Sequence, residues 1–382
     1  MTPIYRRGES LPQTLLVLAG KAILAACEDA GIPVRDVDGF VYYAGGGVGL
    51  HEGTIETASL VETLGMPEVG FSSSVSGSGG GSAGAIGLAA LAVEAGQARN
   101  VVVVFGLQQS GLRFGETVRQ APSTPQNAFY KPHGFVGPGF FMALMAQRHM
   151  HLYGTRREAF AEVAIASRSH AMRQPGARRK EPLSLEDYFA ARMIAEPLCL
   201  YDFCMECDGA AAVVVTTEER ARDGRHRPVR VVGAVQGGPR DWGYAFLWGN
   251  QSDVTFASAG YEWIGKRLYE RAGVGPGDVD VALLYDHFTP FVVMQLEDFG
   301  FCERGEGGAF VESGAMRHGS GSIPTNTHGG ALSEAYLVGL NHVLEGVRQI
   351  RGTAANQVPG AELALVSGGP APLPLSAVLL GA

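Results

Sequence analysis

One segment of this sequence occurs twice. The residues "CEDAGIPVRDVDGFVYY" (27–43) align without a gap on "YERAGVGPGDVDVALLY" (269–285), 242 positions later. The identical positions include a glycine placed to end a helix and a tyrosine that closes an apolar run: Glu28, Ala30, Gly31, Asp36, Val37, Asp38 and Tyr43 match Glu270, Ala272, Gly273, Asp278, Val279, Asp280 and Tyr285. Such a repeat predicts a duplicated fold in which two similar halves face each other.

Helix and strand patterns alternate in both copies, which favours an α/β architecture. In the first copy, a helical pattern closed by Gly31 is followed by the patterns "VDGFVYYA" (strand), "AGAIGLAALAVEAG" (helix) and "NVVVVFG" (buried strand). The same order recurs in "YEWIGKRLYERAG", "VDVALLYDHF", "ALSEAYLVGLNHVLEGVRQIRG" and "AELALVSGG". We expect an N-terminal half at 1–230 and a C-terminal half at 231–382. An insertion at about 107–195 belongs to the first half, and insertions of this size usually shape a substrate site.

The composition limits the possible partners. Charged residues make up 18% of the chain and hydrophobic residues 46%. Soluble domains average about 25% charged residues, so we expect part of the surface to be buried in protein interfaces. The net charge of −8 argues against a nucleic-acid partner. No apolar run is long enough to cross a membrane, and the N-terminus lacks a signal-peptide profile. The sequence therefore predicts a soluble cytoplasmic protein that binds neither nucleic acid nor membrane.

The cysteines are odd in number and mostly scattered, as expected for reduced thiols: Cys27, Cys199, Cys204, Cys207 and Cys302. Cys204 and Cys207 form a Cys-x-x-Cys pair. A zinc site needs two further ligands at compatible spacing, and no second pair exists. We therefore expect no metal site, and interpret the pair as small apolar residues in a packed segment.

Several motifs carry a resemblance to a known family. They are "CDGAAAVVVTTEERA" (207–221), "YDHF" (285–288), "PTNTHGG" (324–330) and "LVSGG" (365–369). Together with the duplicated halves, they resemble the thiolase superfamily over essentially the full chain. "HGGALSEAY" and "GLNHVLEGVRQIRG" are similar to its lipid-transfer-protein branch. The resemblance implies a thiolase fold, in which duplicated α/β halves form a five-layered α-β-α-β-α sandwich with an inserted loop domain.

The chain departs from the thiolase pattern where the nucleophile is expected. A thiolase has a cysteine at the N-terminal end of its first long helix, where the helix dipole lowers the pKa of the thiol. The matching region here is "SSSVSGSGGGSAG" (72–84), and the equivalent position is Gly79, within about two residues. A second thiolase cysteine, in a Cys-x-Gly-Gly loop, is replaced by Ser367. The resemblance thus implies no acyl transfer through a thiol at Gly79.

Two histidines of the family are also replaced. The His-Asp-x-Phe motif has Tyr285 in place of its histidine, and the Gly-His-Pro histidine falls on Tyr336. Tyrosine can still donate and accept a proton, whereas a decayed site would more plausibly show Ala, Leu or Val. The pattern resembles a subgroup of thiolase-like aldolases, which act in bacterial steroid side-chain degradation.

The resemblance to these aldolases implies a reaction. They cleave a β-hydroxyacyl-CoA by a retro-aldol step and release a 17-ketosteroid and propionyl-CoA. The expected substrate is 17-hydroxy-3-oxo-pregnene-20-carboxyl-CoA. By resemblance, Tyr285 is the base at the hydroxyl and Tyr336 the acid toward the enolate. Tyrosine, with a pKa near ~10, is a poor base at neutral pH, so we expect assistance from His287 and His328.

Alternation along an extended strand end separates the side chains of the "YDHF" stretch. Tyr285 and His287 should share one face, and Asp286 should lie on the other. His287 is therefore expected in the pocket with Tyr285. For Asp286 we expect a contact that fixes the loop backbone.

The enolate oxygen needs preorganised hydrogen-bond donors. By resemblance these are backbone N–H groups of two glycine loops, at Gly79, Gly80 and Gly81 and at Gly368 and Gly369, with Asn326 adjacent. "GGGSAG" (79–84) also satisfies Gly-x-Gly-x-x-Gly, but no acidic residue ends the next strand, which argues against a dinucleotide site. We expect no cofactor, because the coenzyme A thioester is itself the substrate.

The resemblance also implies partners. The subgroup forms a homodimer through the thiolase core and pairs with a zinc-ribbon and OB-fold protein, often linked to a MaoC-like hydratase. The chain starts at Met1 with no room for the strand that precedes "TPIYRRGESL" in the superfamily. We expect either a start upstream or an unfilled sheet position. Two alternative functions remain open, a non-catalytic acyl-CoA-binding subunit and an acyltransferase with a displaced nucleophile.

Overall fold

The computed structural model describes residues 1–11, 13–43, 55–75, 77–109, 128, 130–135, 137–239, 256–369 and 374–382. In these ranges the chain forms the strands β1 Tyr5–Arg6, β2 Gly39–Tyr43, β3 Phe71–Val75, β4 Asn100–Leu107, β5 Met193–Ala195, β6 Leu198–Cys199, β7 Cys207–Thr216, β8 Arg230–Gly237, β9 Val281–Leu283, β10 Leu363–Gly368 and β11 Leu375–Gly381.

The helices are α1 Leu15–Ala30, α2 Thr57–Leu64, α3 Gly81–Glu94, α4 Pro138–Tyr153, α5 Arg157–Ala171, α6 Leu185–Ala190, α7 Glu218–Arg222, α8 Glu262–Ala272, α9 Thr289–Asp298, α10 Gly307–Glu312, α11 Gly330–Ser333 and α12 Leu340–Arg351. In the described part of the chain, no helix is long and apolar enough to span a membrane.

Two mixed sheets form the core. The first has the order β1-β7-β4-β2-β3, and the second has the order β8-β11-β10-β9. β2 pairs in parallel with β4, which pairs antiparallel with β7. In the same way, β9 pairs in parallel with β10, which pairs antiparallel with β11. The two sheets therefore repeat one arrangement, β2-β4-β7 and β9-β10-β11.

Helices separate and cover the sheets. α3 contacts strands of both sheets, and α12 packs beside it, so these two helices form a central layer. α1 covers the outer face of the first sheet against β7 and β4, and α8 covers the second against β8 and β11. The predicted α-β-α-β-α order is confirmed.

The repeated residues perform matching tasks in the two halves. Gly31 and Gly273 end α1 and α8 in the left-handed region, both with φ 69°. The Asp38 carboxylate accepts from the backbone N–H groups of Arg99 and Asn100, where β4 begins. Asp280 accepts from Glu362 and Leu363 where β10 begins. Each aspartate thus fixes the start of the strand that is parallel to its own.

The segment between β4 and β7 contains α4, α5, α6 and the β5-β6 hairpin. It includes most of the predicted insertion, of which residues 110–127, 129 and 136 lie outside the described ranges. α5 packs against α9, α10 and α11, which belong to the C-terminal half of the chain. The insertion therefore contacts α9, which begins shortly after Tyr285, and α11, which ends shortly before Tyr336.

The first residues lie along the outer edge of β7. Tyr5 and Arg6 pair antiparallel with Asp208 and Cys207, and the Thr2 N–H donates to the Ala210 carbonyl. β1 lies within the segment "TPIYRRGESL" and covers this end of the β7 edge, and the unfilled sheet position stays a prediction. Farther along, the β7 edge borders a cavity of about 750 Å³, which is also lined by β8, α3 and α12.

Candidate active site

Tyr285 and Tyr336 meet between the two halves. Tyr285 follows the end of β9, Tyr336 follows α11, and their hydroxyl oxygens are 3.2 Å apart. The side chains are 1% and 8% exposed. Sequence reasoning selected both residues, and the structure brings them together. Their catalytic roles remain predictions.

The Tyr285 ring lies directly against Gly79. A Cβ added at Gly79 would be 2.4 Å from Cζ and 2.5 Å from the hydroxyl oxygen of Tyr285, far inside any real contact distance. Gly79 is in the turn at Ser78–Gly80 that leads into α3. The tyrosine ring therefore fills the space that any side chain at position 79 would need.

The two predicted glycine loops touch each other beside this ring. Gly369 has φ 101°, and a Cβ there would lie 2.4 Å from the backbone nitrogen of Gly80. A Cβ at Gly368 would lie 2.8 Å from the Gly79 carbonyl oxygen, and one at Gly81 would lie 2.8 Å from Tyr43 Cβ. The loops thus need glycine for their close approach. The Gly80 N–H donates to the Gly77 carbonyl. One of the N–H groups predicted to bind the enolate oxygen is therefore already engaged.

Both tyrosines are weaker acids than an exposed tyrosine. Burial and the neighbouring Tyr336 raise the pKa of Tyr285 well above its ordinary value. Burial also raises the pKa of Tyr336. The two hydroxyls share one hydrogen bond, in which either oxygen can be the donor.

His287 lies in the site without a protein partner. Its ring is 5.0 Å from the Tyr285 ring, centroid to centroid, so the two residues share a face as predicted. The side chain is 5% exposed, and neither ring nitrogen has a hydrogen-bond partner among the described residues. Burial lowers the pKa of His287 to about 3. The ring is therefore neutral, with one donor and one acceptor free for a bound molecule. Direct assistance to the Tyr285 hydroxyl has no support in this geometry.

Asp286 lies on the opposite side of the strand end, as predicted, and fixes the loop. Its carboxylate accepts from the N–H of Ala331 at 2.8 Å and of Leu332 at 3.2 Å, at the start of α11. His342 Nε2 is 2.9 Å from the same carboxylate. Asp286 thus ties the loop of Tyr285 to the helix that leads to Tyr336.

Two other predicted residues are placed differently. The Asn326 side chain accepts from Leu284 N–H at 2.8 Å and donates to the Leu284 carbonyl at 2.9 Å, which engages its oxygen and one of its two N–H groups with the backbone. The His328 ring packs on His342, 4.9 Å between centroids, and His342 in turn stacks near Tyr285. His328 therefore reaches Tyr285 only through His342, and neither predicted role gains support.

Ser367, the predicted counterpart of the second thiolase cysteine, supports the Tyr285 backbone. Its hydroxyl accepts from the Tyr285 N–H at 2.9 Å and donates to Gln295 Oε1 at 2.6 Å. Val366, one residue earlier, has the Cys-x-Gly-Gly spacing to the two glycines and packs in the apolar cluster of both tyrosines. Val366 is therefore the better counterpart of that cysteine.

Sequence reasoning missed Gln295 and His342. Gln295 is on α9, ten positions after Tyr285, and no local pattern connects the two residues. For His342 a signal existed, because α12 places several polar residues on a buried face. Buried polar residues in an amphipathic helix indicate an internal hydrogen-bond network.

The Cys-x-x-Cys segment runs beside the tyrosines. The Cys204 N–H donates to the His287 carbonyl, and Cys207 Sγ is 3.6 Å from the Tyr336 carbonyl oxygen. Burial raises the pKa of the Cys207 thiol to about 12, and it raises that of Cys204 as well. Neutral thiols are poor nucleophiles. In the described residues, no group of three His, Cys, Asp or Glu side chains is arranged to hold a metal ion.

Family models account for both halves of this fold. The model for "Thiolase, N-terminal domain" matches residues 1–219, and the model for "Thiolase C-terminal domain-like" matches residues 248–379. The chain belongs to the thiolase family. The resemblance predicted from its motifs is confirmed.

Within the thiolase family, the chain is similar to lyases. It is 40% identical to the 17-hydroxy-3-oxo-4-pregnene-20-carboxyl-CoA lyase of Mycobacterium tuberculosis over 378 residues, 96% of this chain and 94% of the relative. It is 39% identical to the steroid side-chain-cleaving aldolase of Thermomonospora curvata over 377 residues, 96% of this chain and 93% of the relative. The solved Ltp2-ChsH2(DUF35) aldolase matches with a TM-score of 0.90 and 37% identity, over 100% of this chain and 95% of that chain.

The residues at this site differ from those predicted for the site of a thiolase with a catalytic cysteine. The predicted nucleophile position, Gly79, has no side chain, and the ring of Tyr285 occupies its space. The site has instead two adjacent hydroxyls and a neutral histidine. Such a site can transfer protons and donate hydrogen bonds, and the described residues at the start of α3, 79–84, include no cysteine.

Proposed function

We propose that this protein is a carbon–carbon lyase that cleaves a β-hydroxyacyl-CoA by a retro-aldol reaction. The proposed substrate is 17-hydroxy-3-oxo-4-pregnene-20-carboxyl-CoA, for which the relative from Mycobacterium tuberculosis is named. The observation that carries the proposal is the buried contact between the Tyr285 and Tyr336 hydroxyls beside a position 79 without a side chain.

The proposed reaction needs no nucleophile. The O–H bond at C17 and the C17–C20 bond break, C17 becomes a ketone, and the electron pair of the C17–C20 bond enters the thioester as an enolate. Protonation of that enolate carbon gives propionyl-CoA. Overall, one proton moves from the C17 hydroxyl oxygen to the enolate carbon, and general acid–base groups can perform this transfer.

The two tyrosines suit this transfer as a relay. Tyr285 accepts the proton of the substrate hydroxyl while it passes its own proton to Tyr336, and Tyr336 protonates the enolate carbon. The hydrogen bond between the two hydroxyls, in which either oxygen can be the donor, is the path for this transfer. Burial opposes a phenolate on either residue, and a relay leaves both tyrosines neutral at the end. The assignment keeps the order predicted from the sequence.

The remaining residues stabilise and orient the thioester in this proposal. In the proposal, backbone N–H groups of the glycine loops at Gly79–Gly81 and Gly368–Gly369 donate to the enolate oxygen, except that of Gly80, which already donates to Gly77. His287, which is neutral and has no hydrogen-bond partner among the described residues, supplies a hydrogen bond to bound substrate. A buried polar side chain that lacks a partner is costly, so such groups mark places where a ligand completes the hydrogen bonding.

The proposal needs no cofactor, since the thioester itself accepts the electron pair. For partners, we propose a complex with a zinc-ribbon and OB-fold protein, because the similar solved aldolase joins Ltp2 to ChsH2(DUF35). A homodimer through the thiolase core and a link to a MaoC-like hydratase remain part of the proposal. A hydratase would supply the β-hydroxyl group by adding water to an enoyl-CoA.

The test is to incubate the purified protein, alone and with its co-expressed neighbour, with the 17-hydroxy steroid thioester. Liquid chromatography with mass spectrometry should detect the 17-ketone and propionyl-CoA in equal amounts. In D₂O, the propionyl-CoA should carry one deuterium at C2. Binding of the thioester without cleavage, in the presence of the partner, would instead identify a non-catalytic subunit. An acyl adduct on Cys204, Cys207 or Cys302 would identify an acyltransferase.

A further inference from the structure

The backbone of Tyr285 is held by side chains rather than by a neighbouring strand. β9 ends at Leu283, two residues earlier. The Tyr285 N–H donates to Ser367 Oγ at 2.9 Å, and the Tyr285 carbonyl accepts from Gln295 Nε2 at 2.8 Å. Both backbone groups of this residue therefore depend on two polar side chains from other elements.

These two side chains are also bonded to each other. The Ser367 hydroxyl donates to Gln295 Oε1 at 2.6 Å, so Tyr285, Ser367 and Gln295 form a closed ring of hydrogen bonds. The Gln295 amide nitrogen donates in addition to the Phe291 carbonyl, one turn earlier on α9. Each polar atom of the Gln295 side chain has a partner, and the glutamine is anchored to its own helix.

The network extends to the second glycine loop. Ser367 directly precedes Gly368, and the Tyr261 hydroxyl donates to the carbonyl of Gly369 in the same loop. Tyr261 is in turn fixed by Asp298, which accepts from its backbone N–H at 3.0 Å. One buried network therefore joins the backbone of Tyr285 to the loop at Gly368–Gly369.

We propose that Gln295 is a positioning residue, which holds the Tyr285 ring against Gly79 and its hydroxyl against Tyr336. Gln295 and Ser367 are completely buried, so loss of one partner leaves backbone groups of Tyr285 unsatisfied. Catalytic groups lose effectiveness when displaced by about 1 Å. The kinetic part of this inference rests on the proposed function, whereas the structural part does not.

The test compares Gln295→Met with Gln349→Met. Methionine has a similar length and cannot make these hydrogen bonds. Gln349 is a matched control, because it is equally buried and its amide is fully bonded, to Thr327, Glu345, Asn356 and Val358, away from Tyr285. Two readouts apply, the kcat and KM for the steroid thioester and the hydrogen–deuterium exchange of the segment 284–288.

For Gln295→Met we expect kcat to fall about 10- to 100-fold with KM within about threefold, and exchange in 284–288 to rise. A loss of that size corresponds to about 1.4–2.7 kcal/mol of transition-state stabilisation. For Gln349→Met we expect lower thermal stability, kcat within about twofold and unchanged exchange in 284–288. Ser367→Ala is a smaller change and should have the same effects as Gln295→Met. It replaces Gln295→Met in the test if Gln295→Met does not fold.

Equal losses of kcat in the two glutamine variants would overturn the inference, because they would indicate a general effect of a buried polar deletion. Unchanged exchange at 284–288 in both Gln295→Met and Ser367→Ala would overturn it as well. If the unaltered protein cleaves no thioester, the proposed function fails, and the exchange measurement still decides whether Gln295 holds Tyr285.

Discussion

The Tyr285 and Tyr336 hydroxyls are 3.2 Å apart, although the two residues are 51 positions apart in the chain and extend from different elements. Asp286 accepts hydrogen bonds from the start of α11 and so fixes the spacing between the two segments. The fold thus holds the two tyrosines at a fixed spacing. The contribution of each hydroxyl to activity can be tested by replacing one tyrosine at a time.

Replacement of either tyrosine by phenylalanine should remove one proton-transfer group and keep the ring that packs the site. We expect Tyr285→Phe and Tyr336→Phe each to lower turnover by about 10²–10⁴-fold, the usual contribution of general acid–base catalysis. The relay also predicts an order. Exchange of the C2 protons of propionyl-CoA in D₂O should be slower in Tyr336→Phe than in Tyr285→Phe, since the proposed relay assigns proton transfer at the carbon to Tyr336. The opposite ranking would reverse the two roles.

Gly79→Ala should be destabilising because its Cβ would overlap the Tyr285 ring. Overpacking of a filled core costs about 1–3 kcal/mol. The cost should nearly vanish in the background of Tyr285→Leu, whose side chain ends short of the contact, and a double-mutant cycle by urea unfolding measures this coupling. Gly176→Ala, at an exposed position with open space, is the control. Equal costs in the two backgrounds would show that the ring can move aside.

Glu334 should make the protein less stable as the pH rises. Burial raises its pKa in the folded protein to about 7, against about 4.3 when unfolded. Between these values the folded state holds more protons than the unfolded state, so the free energy of unfolding decreases with rising pH. Glu334→Gln cannot ionise, and its stability relative to the unaltered protein should improve by up to about 3 kcal/mol from pH 4 to pH 8. Urea unfolding at both pH values checks this, and a constant difference would contradict it.

His287→Phe should have opposite effects on the stability of the protein and on substrate binding. The substitution removes two buried nitrogens that lack partners and keeps an aromatic ring, so we expect an equal or higher melting temperature. If His287 binds the thioester, KM should rise about tenfold, whereas an unaltered KM and kcat would exclude that contact. With its pKa lowered to about 3, His287 should contribute no ionisation to the pH–rate profile between pH 5 and pH 9.

The sequence was sufficient for the duplicated architecture and for the two tyrosines. The repeat at 27–43 and 269–285 encodes complete local units, a helix with its glycine stop, a turn and a strand, and local patterns of this kind are readable without a structure. Alternation along the strand also separated His287 from Asp286 correctly, because the rule depends only on neighbouring positions.

Long-range contacts were not predictable in the same way. Asn326 is next to the glycine motif in sequence, yet its amide is used by the backbone of Leu284. Gln295 has no local signal for its bond to Tyr285, since the geometry comes from how α9 returns over the end of β9. Tertiary packing decides which backbone group a polar side chain bonds to. Because packing involves segments that are distant in the chain, it cannot be derived from the pattern of one segment.

The contact between Gly79 and Tyr285 also constrains how such a site can have arisen. A side chain at position 79 would overlap the Tyr285 ring where it now lies, so a cysteine there requires the ring to shift. For a chain that descends from a cysteine-bearing ancestor, the ring could take its present place only once the thiol was lost. A return to thiol chemistry would therefore need a change at position 285, or a shift of its ring, in addition to a cysteine.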